Sequence, residues 1–432
     1  SSTTTTLSPT TTTLSSHSSS SVSTSASSTT STTSATSTET TEQTTTSSTE
    51  TVSSTSTSGI QIDTSNKESV CKAASIVIDD LLQYYSGNGE FLQPYYWWQY
   101  GVTFGSLLNY QHICGNDSLQ TMIYKGMVAQ VGSDWDYQPS TRDDIGNDDI
   151  GTWALVAIQA AEQGFTNPSD VDDSAPSWLE IAENSFRLLW SRWDTGTCNG
   201  GVRWQFEETD SGYSYKATIA NANLFQLSAR LARYTGNTTY VDVCDEMYDW
   251  IAGAGLVNPL EYGSEVYDGF HTTSNCTDLV KVMWTYNYGV LIGGSAYLYN
   301  LTEQEKWYHR TDSILTGSQI LYNDTVLYER ACEYYNTCNT DQTIFKGIYT
   351  RYIGVASQLI PKMQDRINGL IVPSALGAAQ SCAGGDSGFE CGMRWAIETG
   401  YDNNPGLGQQ VNALEIFLNS VVNESGVPSK EN

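Results

Sequence analysis

Apolar residues recur at three- and four-residue spacing through twelve segments of the chain, the pattern of helices with one buried face. The first four are CKAASIVIDDLLQYY, WWQYGVTFGSLLNY, SLQTMIYKGMVAQV and DIGTWALVAIQAAEQGF. Next come SWLEIAENSFRLLWSRW, KATIANANLFQLSARLARYTG, YVDVCDEMYDWIAGAG and WTYNYGVLIGGSAYLYNLT. The last four are EKWYHRTDSILTGSQILY, DQTIFKGIYTRYIGVASQL, PKMQDRINGLIVPSALGAAQ and GLGQQVNALEIFLNSVV.

Alternate segments differ in character. The even-numbered ones carry Gly105, Gly151, Ala222, Gly289, Gly347 and Gly408 with few charges, as closely packed inner helices require. The odd-numbered ones carry Asp, Glu, Lys and Arg along one face, as helices with a solvent side do. Six such pairs predict an all-α fold, an (α/α)6 barrel of six inner and six outer helices over residues 68–425. An α-solenoid is the rival, but it calls for a stricter repeat length than these segments show. In the barrel, loops entering the inner helices meet at one end, and here those loops are aromatic and polar. Residues 1–60 are almost entirely Ser and Thr; such a segment cannot bury apolar surface, so a disordered, O-glycosylated stalk is expected there.

Charge narrows the partners. The net charge of −28, with 20 Lys plus Arg and no basic run, argues against nucleic acid, because phosphate binding needs clustered cations. Neutral sugars fit better, since aromatic faces stack on their C–H faces while polar groups bond their hydroxyls. Nine cysteines and six N-x-S/T sequons, at Asn116, Asn237, Asn275, Asn300, Asn323 and Asn423, point to the secretory route and a secreted or outer-surface location. Two cysteine pairs suit local disulfides, Cys332 with Cys338 and Cys382 with Cys391. The odd count leaves one thiol over, and Cys244, among Tyr240, Val243 and Met247 at helical spacing, is the candidate. No run approaches the ~20 apolar residues of a membrane span. The absence of an initiating Met suggests a processed chain or fragment, and the end GVPSKEN has no hydrophobic anchor tail; membrane association is left open.

The stretch TRDDIGNDDIGTW contains DDIG twice. Asp148 and Asp149 directly precede the apolar run Trp153, Leu155, Val156 and Ile158, so they fall at the start of the fourth, inner helix. Asp143 and Asp144 lie upstream in the loop. Retaining glycoside hydrolysis needs one bare carboxylate as nucleophile and one protonated carboxyl as acid, roughly 5 Å apart. Two close carboxylates resist joint ionisation, so their pKa values separate. Capping of the helix is the structural alternative for the same residues.

GNDDIGTWALVAIQAAEQGF resembles the Asp-Asp signature of glycoside hydrolase family 76, and the similarity runs on through several further motifs. These are YYWWQYGVTFGSLLNY, SRWDTGTCNGGVRWQF, NANLFQLSARLARYTGN, VYDG, NCTD, WTYNYGVLIGGSAYLYN and the two local cysteine pairs. The fungal cell-wall branch, the Dfg5/Dcw1-like proteins, is the nearest resemblance. It implies Asp148 as nucleophile and Asp149 as general acid/base, acting on α-1,6-linked mannose with retention and with neither cofactor nor metal. It further implies Asn147, Trp98, Asp268, Tyr286 and Asn287 as cleft-lining residues. The implied substrate is α-1,6-mannan or the mannose glycan of a GPI anchor, with β-glucan of the cell wall as acceptor. Two positions depart from the pattern: Ile150 stands for the usual Gln and Thr152 for a bulkier residue.

Other motifs weigh less. Gly385-Asp386-Ser387-Gly388 looks like a serine-protease nucleophile loop, but a disulfide-closed turn is the expected structure. His17, His112, His271 and His309 show no metal-binding spacing, and the acidic stretch from Asp134 to Asp149 lacks the EF-hand ligand order. A non-catalytic carbohydrate-binding wall protein on the same fold is the alternative function.

Overall fold

A computed structural model describes residues 59–142, 144–396 and 400–431. The expected stalk over 1–60 lies outside the described residues except for Gly59 and Ile60. The side chain of Ile60 is buried, and the described chain stays packed beyond residue 425 as well.

All twelve periodic segments form α-helices. They are α1 (Lys67–Leu81), α2 (Trp97–Cys114), α3 (Gln120–Val128), α4 (Asn147–Glu162), α5 (Trp178–Ser191) and α6 (Thr218–Thr235). The second half supplies α7 (Thr239–Gly253), α8 (Thr285–Thr302), α9 (Glu305–Gly317), α10 (Phe345–Leu359), α11 (Gln364–Ser381) and α12 (Leu407–Asn419). Local chemistry sets several of the starts. At α5, Ser177 and Glu180 exchange backbone and side-chain bonds in a capping box, and at α1 the Asn66 side chain accepts from the Ser69 N–H.

The even-numbered helices pack on one another in chain order, and α12 returns to α2, so the six form a closed ring. The odd-numbered helices each lean on this ring: α3 on α2, α5 on α4, α7 on α6, α9 on α8, α11 on α10 and α12, and α1 on α12. Burial follows the expected division. Helix α12 is buried along its whole length, whereas α9 buries only Trp307, Thr311, Ile314 and Leu315, one stripe of its surface. Small residues set the inner spacing. A Cβ on Gly289 would stand 2.5 Å from the Tyr349 Cα, and one on Gly151 would stand 2.7 Å from the Asn223 Cβ.

Two buried arginines tie the ring across its interior. Arg351 of α10 donates to Glu415 of α12 at 2.7 Å and to the Val102 carbonyl and Ser106 hydroxyl of α2 at 2.8 and 2.7 Å, spanning the closure. Arg230 of α6 pairs with Glu162 of α4 at 2.6 Å, and Tyr297 of α8 donates to the same carboxylate at 3.0 Å. Beyond them, at the C-terminal ends of α4 and α6, the final segment lies across the ring. The Ser429 N–H donates to the Glu162 carbonyl, Arg233 to the Pro428 carbonyl and the Glu431 N–H to the Tyr234 carbonyl.

Among the described residues the loops hold eleven short strands that helical periodicity could not reveal. Tyr215–Ala217, Gly269–His271 and Leu279–Val280 form a three-stranded antiparallel sheet, with Tyr215 opposite His271 and Gly269 opposite Val280. It sits between the helices and fixes the loops ahead of α6 and α8. Disulfides join Cys71–Cys114, Cys198–Cys276, Cys332–Cys338 and Cys382–Cys391, and Cys244 is free and buried. Both local pairs and the leftover thiol are those expected. Among the described residues no helix is long and apolar enough to cross a membrane.

Replacing Glu415 by Ala leaves the Arg351 charge buried without its partner. The expected loss of unfolding free energy is about 3–5 kcal/mol, read by denaturant titration. The sequons divide in the same structural terms. Asn237, Asn275 and Asn323 are exposed, whereas Asn300 lies within α8 with its amide bonded to Arg233 and to the Leu359 carbonyl. Glycopeptide mass spectrometry of the protein expressed through a secretory host should find glycans on Asn237 and Asn275 and none on Asn300.

Candidate active site

The N-terminal ends of the inner helices converge on a cleft of about 470 Å³. Helix α4 begins at Asn147, so Asp148 and Asp149 occupy its first turn and line this cleft, as the position of the apolar run required. Of the upstream pair, Asp144 is exposed at the rim and Asp143 lies outside the described residues.

The two adjacent acids are held differently. Asp149 accepts the Gly146 N–H at 2.6 Å, which is the capping bond. Asp148 does not cap. Its Oδ2 accepts the Trp204 indole N–H at 2.8 Å, while its Oδ1 is buried with no donor among the described residues. Room for Oδ1 depends on Gly146, where a Cβ would lie 2.5 Å away. The Asp148 carbonyl accepts from Thr152 Oγ1 at 2.9 Å and Asn223 Nδ2 at 3.0 Å, which fixes the turn from α4 and from α6.

Burial raises both carboxyls, to unequal extents. Asp148 is pushed up to about 6 by loss of solvent, with the Trp204 hydrogen bond acting against the rise. Asp149 is held well above the usual carboxylate range, first by burial and then by the Asp148 charge beside it. Near neutral pH this favours a bare Asp148 and a protonated Asp149. Burial also raises Asp268 and Asp341.

The structure separates the five lining candidates. Trp98, Asp268 and Tyr286 line the cleft. Tyr286 stacks on Phe345 at 3.8 Å between ring centroids, 10° from parallel, which makes an apolar wall. Asn147 and Asn287 do not line it, contrary to expectation. Asn147 is buried, donates to the Arg203 carbonyl at 2.9 Å and accepts from Arg192 at 2.7 Å; it pins the Trp204 loop to the head of α4. Asn287 is fully buried in α8 one position beyond Tyr286, and successive helical residues point about 100° apart. Ile150 is likewise fully buried and away from the cleft, so that departure alters the core, whereas Thr152 lies on the cleft wall.

Three cleft residues escaped the sequence reading. Trp204 holds Asp148, Tyr215 donates to Asp268 at 2.5 Å, and Asp341 accepts the Trp98 indole N–H at 3.1 Å. Asp341 enters α10 as Asp148 enters α4, through the loop ahead of an inner helix, and that placement was the available signal. Elsewhere, the Ser387 hydroxyl donates to Asp80 inside the Cys382–Cys391 hairpin, so the protease-like tetrapeptide is a disulfide-closed turn. Among the described residues no three His, Cys, Asp or Glu side chains are grouped to hold a metal ion.

Comparison with known proteins gives the family and the fold. The model of "Glycosyl hydrolase family 76" matches residues 69–432. Mannan endo-1,6-alpha-mannosidase DFG5 of Saccharomyces cerevisiae is 42% identical over 381 residues, which cover 86% of this chain and 82% of the yeast protein. The crystal structure of Dfg5 from Chaetomium thermophilum, in complex with glucosamine, superposes with a TM-score of 0.81 at 36% identity, covering 86% of this chain and 94% of that one. An α-1,6-mannanase from Salegentibacter sp. shares the fold at a TM-score of 0.65 and 15% identity, covering 82% and 99%. That structure is of an inactive variant with two adjacent aspartates replaced by alanine, in complex with α-1,6-mannotetrose.

Because its carboxyl titrates near 3.8 in solvent and near 6 in the fold, ionised Asp148 opposes folding. That cost is absent at low pH and grows as pH rises through this window. Asp148→Asn should therefore raise the melting temperature at pH 7 and leave it nearly unchanged at pH 4, as thermal melts at both values will show.

Proposed function

We propose that this chain, which belongs to glycosyl hydrolase family 76, is a retaining, endo-acting α-1,6-mannosidase. The observation that carries the reading is the pair of adjacent acids in the cleft, one favoured bare and its neighbour protonated. Asp148 attacks the anomeric carbon as Asp149 gives its proton to the departing glycosidic oxygen. The bond to the leaving sugar breaks and a mannosyl ester forms on Asp148. Asp149, now ionised, takes a proton from water or an acceptor hydroxyl, whose oxygen attacks the same carbon and frees the Asp148 carboxylate. Trp98, Tyr286 and Phe345 offer faces for the sugar, and Asp268 and Asp341 offer acceptors for its hydroxyls.

The finer parts of the reading have their own supports. The closed ring with its leaning outer helices fits an (α/α)6 barrel, with a catalytic domain over 68–425 and an O-glycosylated stalk over 1–60. Four disulfides and exposed sequons suit a secreted or cell-wall location. The five aspartates lining the cleft suit a ligand bearing an ammonium group, and the Chaetomium relative holds glucosamine. A mannose glycan of a GPI anchor, which contains such an amino sugar, is therefore the substrate we favour beside α-1,6-mannan. Transfer to wall β-glucan would use the same mannosyl ester with a sugar hydroxyl in place of water.

Incubation with α-1,6-mannan and a β-glucan acceptor separates the outcomes: free reducing ends report hydrolysis, and joined products report transfer. Asp148→Asn should lower either rate by roughly 10³-fold or more; an unchanged rate would remove Asp148 from the mechanism, and no turnover by the parent protein would leave the non-catalytic reading. The pH profile of kcat/KM should fall on the acid side with an apparent pKa of about 6 that belongs to the pair. Trp204→Phe removes the bond that lowers the Asp148 pKa, so the acid limb should move to higher pH.

A further inference from the structure

We infer that Tyr334 and Tyr335 form a second carbohydrate-binding platform, outside the cleft, for a pyranose polymer that runs over its rim. Both rings are exposed, at 76% and 71%, and stand edge to face 5.2 Å apart. Exposed aromatic rings in this number on one short loop carry a hydration cost that nothing in the packing relieves.

The loop that presents them is rigid. Cys332–Cys338 closes it, and its buried side holds Glu333 in an ion pair with Lys346 at 3.0 Å. Arg394 donates to the carbonyls of Glu333 and Tyr334, both at 3.2 Å. Cys332 and Glu333 thus point inward while the two tyrosines point out. A backbone fixed in this way loses little conformational freedom when a ligand lies on the rings it presents.

Two chain connections join the platform to the cleft. The groove beside the tyrosines is lined by Lys281, Met283, Arg330 and Arg394. Met283 is followed directly by Trp284, and Cys338 by Asn339, and both Trp284 and Asn339 line the cleft. Asn339 is four residues from Tyr335, so the platform lies within ~14 Å of the cleft wall, a span of a few sugar units. The ring faces suit sugar C–H faces, and the Lys and Arg side chains donate to hydroxyls.

The polymer is a neutral hexopyranose chain, and it has two sources under the function proposed above: the mannan being cut or the glucan accepting the mannosyl group. The test compares Tyr334→Ala/Tyr335→Ala with Tyr262→Ala, a control on another exposed tyrosine (79%) far along the chain. Affinity electrophoresis in gels containing α-1,6-mannan or β-glucan reads binding without catalysis, and turnover is measured on mannan and on α-1,6-mannotriose. The double variant should lose roughly tenfold in affinity for one or both polymers, with mannotriose turnover and melting temperature unchanged. Loss on mannan assigns the platform to the cut chain, and loss on glucan assigns it to the acceptor. Unchanged binding to both polymers, or an equal loss from the Tyr262 control, overturns the inference. Absence of mannan turnover in the parent protein would defeat the proposed function alone, since the gels still decide the platform.

Discussion

The interior of the helical ring is governed by two buried arginines that must keep their carboxylate partners. Removing charges from water costs several kcal/mol per ion, and only well-placed partners offset it. Arg351 meets this need by binding α12 and α2 together, and Arg230 by engaging α4, with Tyr297 of α8 on the shared carboxylate. The helices can satisfy both networks only when the ring is closed in one register. Arg351 and Tyr352 also form the inner limit of the cleft, so the depth available to a ligand follows from the same constraint.

Above that limit the fold does the opposite with charge. Adjacent carboxyls enter the first turn of α4 with no cation paired to them among the described residues; the Trp204 indole N–H donates to Asp148 and the Gly146 N–H to Asp149. Burial and mutual repulsion then hold protons on the pair into a pH range where exposed aspartates have lost theirs. Stability given up at these positions is what makes the acids chemically unequal. The pinning of the Trp204 loop by Asn147 belongs to the same arrangement, because it aims the one donor that distinguishes Asp148.

Helical periodicity made the architecture legible because each inner and outer helix carries its own burial pattern over about two and a half to five turns. The place of Asp148 and Asp149 at the head of α4 was equally legible, since only the second pair abuts the apolar run. What the sequence concealed has a common physical cause. Strands of two to four residues, such as Tyr215–Ala217, are too short to display alternation, so the loop geometry that brings Tyr215 to Asp268 left no trace. Asn147 and Asn287 were misplaced because a motif locates residues along the chain but not the direction in which a side chain leaves its helix. Ile150 shows the converse: a departure inside a motif, yet on the core side of it.

The last residues of the described chain, laid across the ends of α4 and α6, have a topological consequence. Among the described residues, Arg351 and Tyr352 stand between the cleft and a smaller pocket under that segment, so the cleft opens on its own face of the ring. A long ligand in the cleft therefore has no straight path along the ring axis. A chain-like ligand of this cleft enters and leaves on the same face, with both flanks outside, so its binding needs no free terminus.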